Sequence, residues 1–193
     1  MSARSFLRES CRNWKTVGAV APSSQNLADL MMKSCAIRDA RKILELGPGT
    51  GAFTQAISEF MSADARYLGL EVNEAFVQQL RTRFPAMRFE HAGAQEFDLG
   101  AAEFAGGFDA VISGLPWAAF PEGLQRAILG NVLPHLAPNG LFVTFAYYGF
   151  HQLPAGRHFR ELLESLLPDV HMTEIVWGNV PPAFVYVGRK QSA

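Results

Sequence analysis

The sequence predicts an α/β fold: one seven-stranded, mostly parallel sheet with helices on both faces and an antiparallel hairpin at its C-terminal end. Three observations carry this prediction. Short apolar runs alternate with segments whose apolar residues recur at i, i+3 and i+4, the pattern of strand–helix units wound into a parallel sheet. The first run ends in a turn holding three glycines, Gly47, Gly49 and Gly51, and a helical pattern starts directly after it. The last two runs are separated only by Gly178-Asn-Val-Pro-Pro-Ala183, too short for a helical crossover, so those strands must run antiparallel.

The elements follow in order. Leu7, Cys11 and Trp14 fall near helical spacing, and Arg4, Arg8, Arg12 and Lys15 form a second stripe, so a short basic amphipathic helix is expected over 6–17. Thr16-Val-Gly-Ala-Val-Ala-Pro22 breaks it. Ser23 or Ser24 can then cap a helix that buries Leu27, Leu30, Met31 and Cys35. Strands are expected at Lys42–Leu46, Tyr67–Glu71, Met87–His91, Phe108–Ser113, Leu141–Tyr147, Met172–Trp177 and Phe184–Gly188. Helices are expected at Ala52–Met61, Glu74–Phe84, Pro121–Leu136 and Arg157–Leu167. Residues 1–40 thus form N-terminal amphipathic and capping helices on a body spanning 41–193, the whole being one compact domain.

Bulk properties narrow the function classes. At 193 residues and 49% hydrophobic, the chain supports one well-buried domain and is short for two. Cys11 and Cys35 form no C-x-x-C pair, which argues against a zinc ribbon or a disulfide framework and for a reducing compartment. The five histidines show no metal-ligand spacing, so no metal is expected. The longest apolar run, around 141–148, is far below a membrane span, and the N-terminus lacks the apolar core of a signal peptide. A cytoplasmic protein, soluble or peripheral at the inner membrane face, is the expectation. The net charge of −1 hides a segregation, with +5 over residues 1–42 and −6 over the remainder. That asymmetry suggests an N-terminal segment that meets an anionic surface.

The glycine-rich turn carries the chemistry. Its glycines would let the backbone approach a bulky ligand and expose the amides that open the next helix. Glu71 ends the second strand twenty residues after Gly51, where nucleotide-binding α/β folds hold ribose hydroxyls. A dinucleotide fingerprint would read G-x-G-x-x-G, whereas this chain has Glu45-Leu-Gly-Pro-Gly-Thr-Gly51. That variant resembles motif I of the class I S-adenosylmethionine (SAM) methyltransferases. The resemblance implies a Rossmann-like fold with SAM as cofactor. It further implies that Glu45, Gly47, Gly49 and Gly51 line the methionine end of SAM and that Glu71 holds its ribose. It places Asn73, Gln95 and Ser113 in the same cofactor site.

The loop after the fourth strand, Ser113-Gly-Leu-Pro-Trp-Ala-Ala-Phe-Pro121, resembles the S-x-L-P-x-x-x-F-P signature of bacterial phosphatidylethanolamine N-methyltransferases. Gly18-Ala-Val-Ala-Pro-Ser-Ser24, Tyr147-Tyr-Gly149 and Trp177-Gly-Asn-Val-Pro-Pro-Ala-Phe-Val-Tyr186 resemble the same family, so the likeness covers nearly the whole chain. It implies that Gly114, Trp117 and Tyr147 form the acceptor site, with Trp117 and Tyr147 as walls favouring a cation about to become more alkylated. The implied acceptor is an amino-phospholipid. The expected partner is an anionic membrane surface, reached through the basic N-terminal helix of a monomer.

Ribosomal RNA adenine dimethyltransferases carry N-L-P-Y at this loop. Here Gly114 stands in place of the asparagine that accepts from an aromatic amine, and Trp117 in place of the tyrosine. No broad basic face suits a phosphate backbone, so no nucleic acid partner is expected. One departure from the lipid-methylating family matters. After the third strand this chain reads His91-Ala-Gly-Ala-Gln-Glu96, so the family's aspartate for the adenine amino group is missing at either register, Gly93 or Ala94. Gln95 offers a neutral acceptor there, a weaker one than a carboxylate. The alternatives are a soluble small-molecule N-methyltransferase, a relative of the RNA enzymes, and a SAM- or lipid-binding protein without catalysis.

Overall fold

A computed structural model of the chain describes residues 23–192. The basic helix expected at 6–17, with Cys11 and Trp14, lies outside the described residues. The described helices are α1 (Ser23–Ser34), α2 (Ala52–Phe60), α3 (Glu74–Arg83), α4 (Glu122–Val132) and α5 (Pro154–Leu166). The strands are β1 (Lys42–Leu46), β2 (Arg66–Glu71), β3 (Arg88–His91), β4 (Phe108–Ser113), β5 (Leu136–Tyr147), β6 (Asp169–Met172) and β7 (Ala183–Arg189). They form one sheet in the order β3-β2-β1-β4-β5-β7-β6. Strands β1 to β5 pair in parallel, and β7 runs against both β5 and β6.

Alternation along the strands sends side chains to two cores. On one face Leu44, Leu46, Val111 and Phe142 pack with Leu124 and Ile128 of α4 and with Phe159 and Leu163 of α5. On the other, Ile43, Ile112, Val143 and Val185 pack with Met31 and Met32 of α1, Ile57 of α2 and Leu80 of α3. The central strands are buried on both sides, so they read in sequence as near-continuous apolar runs, interrupted by Glu45 and Asp109, rather than alternating ones. Helix α1 belongs to the second core through Leu27, Met31, Met32 and Cys35, and burial pushes the Cys35 thiol up to about 12.

Several boundaries differ from expectation. The sixth strand is not Met172–Trp177 but Asp169–Met172, and the connection to β7 is 173–182 rather than six residues. The hairpin is nonetheless antiparallel. Pro181 and Pro182 lack the N–H groups a ladder needs. Pairing beyond Thr173 is therefore reduced to an isolated bridge between Val176 and Ala183. Trp177 leaves the sheet and stands 66% exposed. Helix α4 stops at Val132, and a single 3-10 turn at Leu133–His135 leads into a fifth strand that begins at Leu136. Helix α5 starts at Pro154, where a proline at the helix start sacrifices no intrahelical bond.

Candidate active site

The glycine turn sits at the C-terminal end of β1, between β2 and β4. Gly47, Gly49 and Gly51 have φ of 68°, 58° and 87°, in the left-handed region where a side chain is strained. Gly47 donates to the Leu70 carbonyl and Gly114 to the Leu46 carbonyl, which ties the turn to both neighbouring strands. A Cβ on Gly114 would lie 3.0 Å from the Gly47 carbonyl oxygen, so the β4 loop can approach the turn closely only without a side chain there.

Glu71 is 3% exposed at the end of β2. Its Oε2 accepts from the Gly49 N–H at 2.9 Å, and its Oε1 accepts from the Asn73 N–H at 2.8 Å. Burial raises its pKa, while these backbone donors and the nearby His91 oppose the rise. Asn73 itself is the N-cap of α3, its Oδ1 accepting from the Ala75 and Phe76 amides, so its side chain is committed to the helix.

Glu45 lies on the second face, fully buried. Its carboxylate accepts from the Thr54 hydroxyl at 2.8 Å and from the Tyr67 hydroxyl, and its other oxygen has no partner among the described residues. Desolvation pushes this acid up to about 7. Gln95 packs over Gly93, and its buried Oε1 likewise has no partner among the described residues.

The chain's own groups suit SAM. Backbone N–H groups, those of Gly49 and Asn73 foremost, hold the Glu71 carboxylate at the strand end as an acceptor, which suits a ribose hydroxyl. The Gln95 oxygen fits an adenine amino group, and the glycine turn leaves room for the methionine end. When bound, SAM supplies a sulfonium-borne methyl for in-line transfer to a nucleophile.

Beside the β4 loop, at the C-terminal edge of the sheet, lies an apolar cavity of about 220 Å³ lined by Leu115, Trp117 and Phe159 from the first core and Phe145 and Tyr147 from the second, with Phe150, His151 and Tyr186 as further walls. Trp117 does line it, but at 3% exposure it is chiefly a core residue, stacked on Phe159 with ring centroids 4.9 Å apart. Its indole N–H donates to the Ser113 hydroxyl at 3.0 Å and to the Thr144 hydroxyl at 3.1 Å. The Ser113 side chain is therefore turned to this indole in the interior. Gln125 of α4 braces the loop from below, donating to the Trp117 and Phe120 carbonyls.

Tyr147 is half-buried, and burial raises its phenol pKa, so it stands at the cavity wall as a neutral hydroxyl. The Tyr186 hydroxyl is buried without a partner among the described residues. His151 accepts from the Gly149 N–H at Nδ1. Phe150, His151, Phe159 and Tyr186 were not singled out by sequence reasoning. Phe159 and Tyr186 carried an ordinary core signal, and Phe150 and His151 sit in a 3-10 turn with no periodic pattern.

Comparison with known proteins agrees with this geometry. A family described as the methyltransferase domain matches residues 43–140, from β1 into β5. The ornithine lipid N-methyltransferase of Singulisphaera acidiphila is 31% identical over 95% of this chain and 94% of its own length. Among solved structures, the N-methyltransferase NodS of Bradyrhizobium japonicum superposes with a TM-score of 0.69 at 15% identity, covering 89% of this chain and 98% of that one. The 1,6-didemethyltoxoflavin-N1-methyltransferase of Burkholderia thailandensis, solved with S-adenosylhomocysteine, gives 0.71 at 18% identity over 98% of this chain and 87% of its own. These two establish the shared fold. With motif, fold and family match in agreement, the chain belongs to the methyltransferase domain family and is a class I SAM-dependent methyltransferase.

Proposed function

We propose that this SAM-dependent N-methyltransferase methylates the aliphatic amine of a lipid headgroup at a membrane surface. The acceptor cavity carries the reading: aromatic walls surround it, and no lysine, arginine or carboxylate among the described residues lines it. An aliphatic ammonium titrates near 10 by analogy with lysine and must lose its proton to act as a nucleophile. Apolar walls disfavour the charged form, and ring faces favour the larger, less hydrated cation that methylation creates. Tyr147 and Tyr186 supply hydroxyls that can orient the amine or pass its proton to water. Alignment by the Gly114–Trp117 loop supplies the rest, because in-line transfer depends mainly on positioning.

The lipid assignment is supported by the relative that methylates ornithine lipid and by the loop resemblance to phosphatidylethanolamine N-methyltransferases. Phosphatidylethanolamine is the first candidate headgroup and an ornithine-headed lipid the second. Cytoplasmic location, monomeric state and docking by the basic N-terminal helix belong to this proposal. No helix among the described residues is long and apolar enough to cross a membrane. The test is incubation of the protein with labelled SAM and separate pools: vesicles with phosphatidylethanolamine, vesicles with ornithine lipid, ethanolamine, ornithine and RNA. Label in the organic-extractable lipid supports the proposal and names the headgroup. Label confined to soluble amines or to RNA refutes it.

A further inference from the structure

Six large apolar residues stand exposed among the described residues, and their distribution is uneven. Five of them, Tyr148, Phe150, Leu153, Trp177 and Val180, fall in two short segments, and the sixth, Leu166, lies apart at the end of α5. The two segments meet in space. Tyr148 and Trp177 have ring centroids 5.4 Å apart, and the Tyr148 N–H donates to the Pro182 carbonyl. The patch is continuous with the acceptor cavity, since Tyr147 packs on Phe150 and Phe150 and His151 both line that cavity. Residues 148–156 and 175–183 contain no Asp, Glu, Lys or Arg. Among the described residues the cavity is thus bordered on this side by a rim of two uncharged segments tipped with tryptophan, tyrosine and aliphatic side chains, with exposed Arg157 and Glu174 at their outer ends.

We propose that this rim is a membrane-docking surface that seats the mouth of the acceptor cavity in the lipid interface. The proposal rests on the lipid-headgroup reading above. Its occupant is a phospholipid bilayer, for two reasons. Trp and Tyr with flanking aliphatics prefer the zone where acyl chains meet headgroups, and an uncharged rim enters it without desolvating an ion. A protein partner seated over the rim would close the cavity, whereas a lipid monolayer both covers it and delivers the acceptor. Docking here is apolar and persists at high salt, unlike attraction of a basic segment to anionic lipid.

The test uses the full chain with Trp177→Ser/Val180→Ser and, separately, Leu153→Ser; all three positions are exposed, so folding is checked by an unchanged thermal melt. Binding is measured by co-sedimentation with vesicles of zwitterionic phosphatidylcholine at low and high salt. Turnover is measured on phosphatidylethanolamine, or the headgroup identified above, in vesicles and as a short-chain monomer below its micelle concentration. The expected result is wild-type binding that survives high salt and weakens about tenfold in each variant, the loss for roughly 1.4 kcal/mol of interfacial burial. Turnover on vesicles falls with it, and turnover on the monomeric lipid is unchanged. Unchanged vesicle binding and vesicle turnover in both variants overturn the docking surface and leave lipid methylation standing. Equal loss on vesicles and monomer overturns it too, placing these residues in the acceptor site. A dimer that the substitutions dissociate likewise overturns it, making a second copy the occupant. Failure of the wild type to label any lipid while it still binds vesicles through Trp177 refutes the lipid-acceptor reading alone.

Discussion

Replacing Glu71 by glutamine tests the cofactor site with almost no change in shape. In the native site each carboxylate oxygen accepts a backbone N–H, from Gly49 at 2.9 Å and from Asn73 at 2.8 Å. A glutamine has a single oxygen, so its amide NH2 must face one of those two donors and leave it unpaired. An unmatched buried group costs about 1–3 kcal/mol. For a chain of this size that lowers Tm by about 2–12 °C, at roughly 2–4 °C per kcal/mol. The loss to the ligand is separate. A charge-assisted bond to a ribose hydroxyl contributes about 1.5–3 kcal/mol, so the affinity for S-adenosylhomocysteine should fall roughly 10- to 150-fold. Calorimetric titration and thermal unfolding of wild type and Glu71→Gln read both effects. A variant with lower Tm and native affinity would show that Glu71 only braces the glycine turn. A variant unchanged in both would refute the hydrogen-bond account of this strand end.

Four further outcomes follow from the same geometry. Burial pushes Glu45 from an ordinary 4.5 up to about 7, so its contribution to stability is present below about 4.5 and lost as pH rises through about 7. Denaturant unfolding from pH 5 to 8 should show this fall, on the order of a few kcal/mol, and Glu45→Gln should flatten it; parallel profiles would exclude Glu45 as the source. Restoring an acid should succeed as Gly93→Asp, which displaces only the flexible Gln95 end, and fail as Ala94→Asp, which buries a carboxylate in the first core. Tighter S-adenosylhomocysteine binding by the second variant, and not the first, would reverse that assignment. Trp117→Phe removes the donor shared by Ser113 and Thr144 and should cost about 1–3 kcal/mol in denaturant unfolding, an unchanged midpoint refuting the anchoring role. Tyr186→Phe deletes a buried hydroxyl without a partner among the described residues, so stability should hold or rise while KM for the amine increases; an unaltered KM places that hydroxyl outside acceptor binding.

Local pattern alone determined the frame of this enzyme. Lys42–Leu46 and Phe108–Ser113 are strands with the bounds their apolar runs imply, because strands buried on both faces need no partner to be recognised. The three-glycine turn and Glu71 were equally legible, since left-handed backbone and a strand-end acid leave marks on residue type at fixed spacing. Tertiary structure decided what depends on distant partners. The sixth strand moved to Asp169–Met172 because its ladder is limited by prolines ten residues downstream. Trp117 and Ser113, which read as wall and cofactor ligand, turn toward each other because Thr144 on β5 and Phe159 on α5 complete an interior site for the indole. Ala94, rather than Gly93, faces the core only because α4 and its Asn131 pack over that loop. The exposed rim exists only in three dimensions, where the end of β5 and the start of β7 bring Tyr148 against Trp177 across thirty residues of sequence. Spacing in the chain encodes backbone conformation and burial, whereas a binding surface depends on which side chains the folded sheet places side by side.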